Sequence, residues 1–259
     1  MWWRQFTKEV MAIRGELLLI AGALAAWTLF LLSRAGMWAT EVIMAIYWLP
    51  TGFLPLWALW TSVQLYRQEW RENTSYLLLS LPVRAWKITS AKLAVILAGL
   101  LGFSLLALAG GVLLAARTGL LSEILGELRR MNAFALVPRD WVMKMALLGY
   151  GSAIGSFLVV GLVAQFAYVF SRLFSRLRGL VMVWTWLLVF WAMGRVSQLG
   201  GWLLAWLPDF HVRVLADISG GVPQFETVRV DSGPIVATAL CVIGVYALLN
   251  FLLERAVEV

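Results

Sequence analysis

The side chains of this 259-residue chain that could carry chemistry are few and far apart. Its one histidine, His211, stands near Asp209 and Arg213. A metal centre draws three or four ligands from His, Cys, Asp and Glu, and the one cysteine, Cys241, is remote and inside an apolar run. Cysteine therefore encodes no zinc site, thiol pair or disulfide framework here. The stretch Gly149-Tyr150-Gly151-Ser152-Ala153-Ile154-Gly155-Ser156 sets serines among glycines, somewhat as in an intramembrane protease. A serine nucleophile needs a base beside it, and no histidine lies in any apolar run. Gly151 and Gly155 instead have the small-xxx-small spacing that lets membrane helices approach closely, and Ala107, Gly111 and Ala115 read likewise. The lysines, at 8, 87, 92 and 144, are followed by Glu, Ile, Leu and Met, so no Gly-Lys-Ser/Thr phosphate loop is present.

A chemistry of recognition is concentrated at 69–92, in Glu69-Trp70-Arg71-Glu72-Asn73-Thr74-Ser75-Tyr76-Leu77-Leu78-Leu79-Ser80-Leu81-Pro82-Val83-Arg84, continuing through Trp86, Lys87 and Ile88 to Lys92. Leu77, Leu78, Leu79 and Leu81 are too few to span a bilayer and too many for an idle solvated loop. Contiguous exposed apolar surface of this kind implies a partner, lipid or protein. Asn73 tolerates the left-handed conformation that ends a helical turn. Pro82 cannot continue a helix begun at Ser75. The spacing thus predicts a short, stiff helix over 75–84, held between two stops.

The elements that must hold this loop follow from composition. At 62% hydrophobic, 14% charged and a mean hydropathy of +0.85, the chain carries more apolar surface than a water-soluble fold can hide. Charge-free stretches at 17–33, 42–66, 93–116, 145–171, 179–194 and 232–253 predict an all-α integral membrane protein with six transmembrane helices. The fifth is short and is followed, after Arg195, by a second apolar piece at 196–208, which fits a hairpin, an interfacial helix or a longer fifth span. The net charge of +7 resides in short loops, a signature of topology and not of a nucleic-acid partner. With the N-terminus inside, twelve of the 21 basic residues fall on the cytoplasmic side, in the shorter segments.

At 1–14, Trp3, Phe6, Val10 and Ile13 recur at helical spacing while Arg4, Lys8 and Glu9 take other faces, which predicts an N-terminal interfacial helix; the alternative is a plain extension of the first span. Loops at 117–144 and 195–231 lie outside, the first with an amphipathic helix around Leu121, Ile124, Leu125 and Leu128, the second with turns at Gly220, Gly221 and Pro223. Pro50 and Pro55 bend the second span, whose mildly polar positions make Thr51, Pro55, Thr61 and Gln64 candidates for a substrate path. Gln165 and Asn250 are lone polar groups within spans. No span carries a central Asp, Glu, Lys or Arg, which argues against a proton-coupled transporter. The tryptophans near span ends, Trp70 and Trp86 among them, read as interface anchors. No repeat or linker divides residues 1–259, so a single transmembrane domain is expected.

Residues Glu72, Thr74, Leu77, Leu78, Leu79, Ser80-Leu81-Pro82-Val83, Arg84 and Lys92 resemble, in order, a signature between spans two and three of the permease subunits of type-2 ABC exporters, the ABC-2 membrane family. The departure is Asn73 where glycine is usual, a swap that keeps a left-handed position accessible. The resemblance implies a cell-membrane exporter permease with both termini cytoplasmic, paired as a homodimer or with a related permease. It makes 67–92 a coupling loop whose helix seats in a groove of a separate cytoplasmic ABC ATPase, with Glu69, Arg71, Glu72, Thr74, Leu77, Leu78, Leu81, Pro82 and Arg84 at the contact. ATP and Mg would be held by that ATPase and no cofactor by this chain, which would move a lipid, peptide or hydrophobic drug-like substrate by alternating access. Two rival readings are a non-transporting sensor or immunity subunit bound to an ATPase, and an integral membrane enzyme.

Overall fold

The computed structural model describes residues 2–71, 84–130, 139–174, 176–217 and 224–255. Among them, six helices are long and apolar enough to cross a membrane. The chain begins with one unbroken helix, α1 (Trp2–Arg34), where an interfacial helix followed by a separate span was expected. No proline interrupts 2–34, and Gly15 and Gly22 weaken the helix without ending it. The alternative of an extended first span is the one observed. At 1.5 Å per residue, 33 residues run about 50 Å, well beyond a ~30 Å hydrocarbon core. A tight turn follows in which Gly36 takes φ 94°, and the Arg34 carbonyl accepts the Met37 N–H at 2.9 Å.

The second span is three pieces: α2 (Thr40–Trp48), a 3-10 turn (Leu49–Phe53) and α3 (Leu54–Arg71). Pro50 sits at the start of the tight turn, where its missing N–H is not needed, and the axis breaks there as its position predicts. α4 (Ala85–Arg117) and α6 (Arg139–Ser171) run a turn or more beyond the apolar stretches at 93–116 and 145–171, and α5 (Leu120–Arg130) is the amphipathic helix expected in the loop at 117–144. α7 (Arg178–Leu203) continues straight through Arg195 as one helix, so the chain makes no hairpin there. In the second loop, the turns expected at Gly220, Gly221 and Pro223 lie outside the described residues, and on either side of them the chain forms an antiparallel hairpin, β1 (Phe210–Asp217) with β2 (Gln224–Val230), in the register Phe210 with Val230 and Val212 with Val228. Phe210, Val212 and Val214 alternate with His211 and Arg213, a period-two pattern that favours strand. α8 (Ser232–Arg255) closes the chain.

The helices pack as two compact units, Met1–Thr61 with Ala91–Leu158 and Ser62–Ser90 with Val159–Val259. In the first, Leu31, Ile43, Tyr47 and Leu114 form a buried cluster, and the Tyr47 hydroxyl donates to the Ala107 carbonyl. Gly110 lies against Tyr47, where any β-carbon would collide with the phenol and meet Thr28 Oγ1 at 2.9 Å. In the second, α7 and α8 cross at Gly200, Gly233 and Ala237, so closely that a β-carbon on Gly233 would stand 2.7 Å from the Gly200 carbonyl oxygen. Small residues thus do permit close packing at Gly200 and Gly233, and Gly111, of the expected stripe Ala107, Gly111 and Ala115, also lies close to Tyr47, where a β-carbon would stand 3.2 Å from the ring. At Gly151 and Gly155, the pair that spacing favours, an added β-carbon would meet nothing within 4 Å.

Candidate functional site

The loop expected to seat an ATPase enters from α3 and leaves into α4. Glu72, Thr74, Leu77, Leu78, Leu81 and Pro82, with the predicted helix over 75–84 up to Val83, lie outside the described residues. The two roots of the loop are well defined, and both belong to the second unit. At the first root, Glu69 is buried and Arg71 exposed. Trp70 meets Tyr168 of α6 edge-on, with ring centroids 5.8 Å apart, and Arg172 lies over both rings, 5.6 Å from Trp70 and 4.8 Å from Tyr168. Arg172 also donates to the Tyr168 hydroxyl. A cation shared between two aromatic faces in a partly buried place is a strong clamp for a helix end. Trp70 therefore does more than anchor at an interface.

At the second root Arg84 is exposed and α4 begins at once. The first N–H of α4, on Ala85, donates to Glu254 Oε1 at 3.2 Å. A carboxylate here satisfies an orphan amide and complements the positive end of the helix dipole. Two further bonds tie the same turn to α8: Tyr246 donates to the Trp86 carbonyl at 3.0 Å, and Thr89 to Asn250 Oδ1 at 2.7 Å. Because Thr89 gives its proton to Asn250, the Tyr66 hydroxyl, 3.4 Å away on α3, is left to donate to Thr89. Tyr66 and Thr89 thus also bind the two roots to one another.

Tyr246, Asn250 and Glu254 are four residues apart and share one face of α8. Sequence reasoning marks Asn250 as a lone polar group and misses the other two. Three hydrogen-bonding residues at i, i+4 and i+8 on an otherwise apolar last span are the signal for this face. Around the roots, Arg67, Arg71, Arg84, Arg176 and Arg178 are exposed; of the acids described there, Glu69 is buried and Glu254, though exposed, accepts the Ala85 N–H. The exposed charge described at the roots is therefore mainly basic, suited to anionic headgroups or an acidic partner rim.

The candidate path residues divide. Thr51 turns its hydroxyl back onto the Trp48 carbonyl at 2.6 Å, and Pro55 lies half-buried in the first turn of α3. Thr61 is fully buried with no hydrogen-bond partner for Oγ1 among the described residues, and Gln64 is half-buried in the second unit. Beside the kink, within the first unit, a groove of about 300 Å³ is lined by Leu24 and Trp27 of α1 with Pro50, Phe53, Leu54 and Trp57. None of the four expected residues lines it; the space the kink opens is apolar. Among the described residues no three His, Cys, Asp or Glu side chains gather as a metal site would require. His211 is exposed on β1, and its neighbour Asp209 pairs with Arg229 of β2.

Residues 8–135 match the model of a family described as ABC-2 family transporter protein. The match runs from the second turn of α1 past the end of α5 and contains the loop at 72–83 with both its roots. No curated protein and no solved structure matches the chain.

Proposed function

Since residues 8–135 make this chain a member of the ABC-2 transporter family, a multi-pass membrane protein of ABC transporters, we propose that it is the exporter permease whose loop at 72–83 receives the stroke of a separate cytoplasmic ATPase. The observation that carries this reading is the build of the loop's roots. A tether needs no reinforcement where it enters and leaves a membrane domain. Here one root is clamped by Trp70, Tyr168 and Arg172, the other is capped by Glu254, and Tyr66 with Thr89 joins the two. A push on the loop is then delivered to α3, α4, α6 and α8 together.

Orientation follows from the same region. Both termini and the loop face the cytoplasm of the cell membrane, with basic residues on that side. Two copies, or this chain and a related permease, present two loops to two ATPases, which hold ATP and Mg. The chain itself catalyses nothing. An apolar groove beside the kink and spans without central charges suit a lipid, an acylated peptide or a hydrophobic drug-like substrate. Purification of the chain from its native membrane is expected to bring a phosphate-loop ATPase with it. Leu78→Asp and Leu81→Asp each place a charge in the contact and should abolish that association while the chain remains membrane-inserted. An ATPase absent from the native preparation, or retained equally by both variants, sinks the reading.

A further inference from the structure

Away from the loop roots, one ion pair among the described residues is fully buried. Lys92 on α4 is wholly enclosed, Glu9 on α1 nearly so, and Lys92 Nζ lies 3.0 Å from Glu9 Oε1. The same carboxylate oxygen accepts Gln5 Nε2, also at 3.0 Å, so Glu9 is oriented from its own helix as well. Both partners belong to the first unit. Such a pair does little for stability, because removing two charges from water costs about what their attraction returns. Its best-attested use is to specify register, since a slipped or rotated helix would leave a charge buried alone. The surroundings need that service. α1 shows large apolar side chains on most of its outer faces, among them Leu18, Leu19 and Leu29, and apolar contact alone sets no rotation for such a helix.

We propose that Glu9 and Lys92 are a register latch that fixes α1 on α4, so that displacement of α4 at the loop root carries α1 with it. This rests on the coupling reading above for its purpose but not for its geometry. Lys92 stands two helical turns beyond Ala85, on the same unbroken helix that Glu254 caps. α1 and α4 are the first and third spans and run in the same direction. One turn further along each stand Ile13 and Ile96, both buried, where a latched register brings them together again.

The test uses the full chain in a Cys241→Ala background. Ile13→Cys with Ile96→Cys should cross-link readily under oxidation. Glu9→Leu alone or Lys92→Met alone strands a charge and can misfold, so the decisive variants are the apolar double, Glu9→Leu with Lys92→Met, and the swap, Glu9→Lys with Lys92→Glu. The apolar double should melt as the parent does, yet lose at least threefold in 13–96 cross-linking, while Ala12→Cys or Arg14→Cys, each paired with Ile96→Cys in place of Ile13→Cys, should cross-link more than in the parent. The swap should restore the parent's pattern to within twofold. A second measurement follows the copurifying ATPase. Its stimulation by the permease should fall to within twofold of the isolated ATPase with the apolar double and return with the swap. An apolar double that keeps the parent's cross-linking overturns the latch, and one that loses register but keeps full stimulation overturns its role in coupling. If no ATPase copurifies with the parent, the proposed function fails while the cross-linking still decides the latch.

Discussion

Glu254 carries more of the loop root than its place in the sequence suggests, five residues from the last one of the chain. It stands in for the Ser, Thr, Asp or Asn that would ordinarily precede a helix and accept its first amides. Arg84, which does precede α4, has no acceptor on its side chain to offer. The cap is supplied from another helix, so the start of α4 is fixed only when α8 is in place. Glu254→Gln keeps an acceptor oxygen and loses only the charge, whereas Glu254→Leu loses both. Thermal unfolding in detergent should therefore rank Glu above Gln above Leu, with the Leu variant about 1 kcal/mol less stable, the usual worth of a helix cap. The Thr89 and Asn250 pair can be weighed the same way. A double-mutant cycle with Thr89→Val and Asn250→Leu should return a coupling of about 0.6 kcal/mol and no more than ~1.7, the range for hydrogen bonds inside membranes. A coupling of zero would mean the two side chains do not act on one another.

Among the elements, what the sequence makes legible depends on which signal each one obeys. Spans are legible because a bilayer enforces length and apolarity, and charge-free stretches alone locate all six. Their ends are not, because α1, α4 and α6 continue into wetter territory where helix propensity and packing, not hydropathy, decide where to stop. The hairpin at 210–230 escapes a reading by turns because its alternating residues lie beside the glycines and proline that signal a loop. The loop roots are legible only in part. Glu69, Arg71 and Arg84 come from the motif, but Trp70 with Tyr168 and Arg172, and Thr89 with Asn250, are partners about 100 to 160 residues apart. No local periodicity reports such a pairing. Close helix crossings have the same difficulty: Gly151 and Gly155 have the right spacing but meet no neighbour, while Gly200 and Gly233 lie on different helices. Gly233→Leu should accordingly separate α7 from α8 and cost the ~1–3 kcal/mol typical of overpacking, whereas Gly155→Leu should be tolerated by the isolated chain. Equal loss of thermal stability in the two variants would contradict this contrast.

For the whole molecule, the strongest constraint is that an even number of crossings returns the chain to its starting side. Six crossings would bring the start of α1, the end of α8 and the loop between α3 and α4 out on one side of the bilayer. Which face this is depends on basic residues. Arg67, Arg71, Arg84, Arg176 and Arg178 are exposed at this end, in short connections. The other nine basic residues, from Arg34 to Arg229, are spread over the longer segments that include α5 and the hairpin and over the adjoining helix ends. Short, basic segments are retained in the cytoplasm, since pulling a cation across the bilayer is costly and long segments are moved across with less regard to charge. Single cysteines in the Cys241→Ala background separate the two orientations. Ser122→Cys on α5, an exposed position, should react with a membrane-impermeant maleimide in intact cells. Arg84→Cys should react only after the membrane is opened, and binding of the ATPase should then protect it. The reverse pattern would turn the molecule over, put the loop where no ATP is present, and leave the anchored roots without the partner for which they are built.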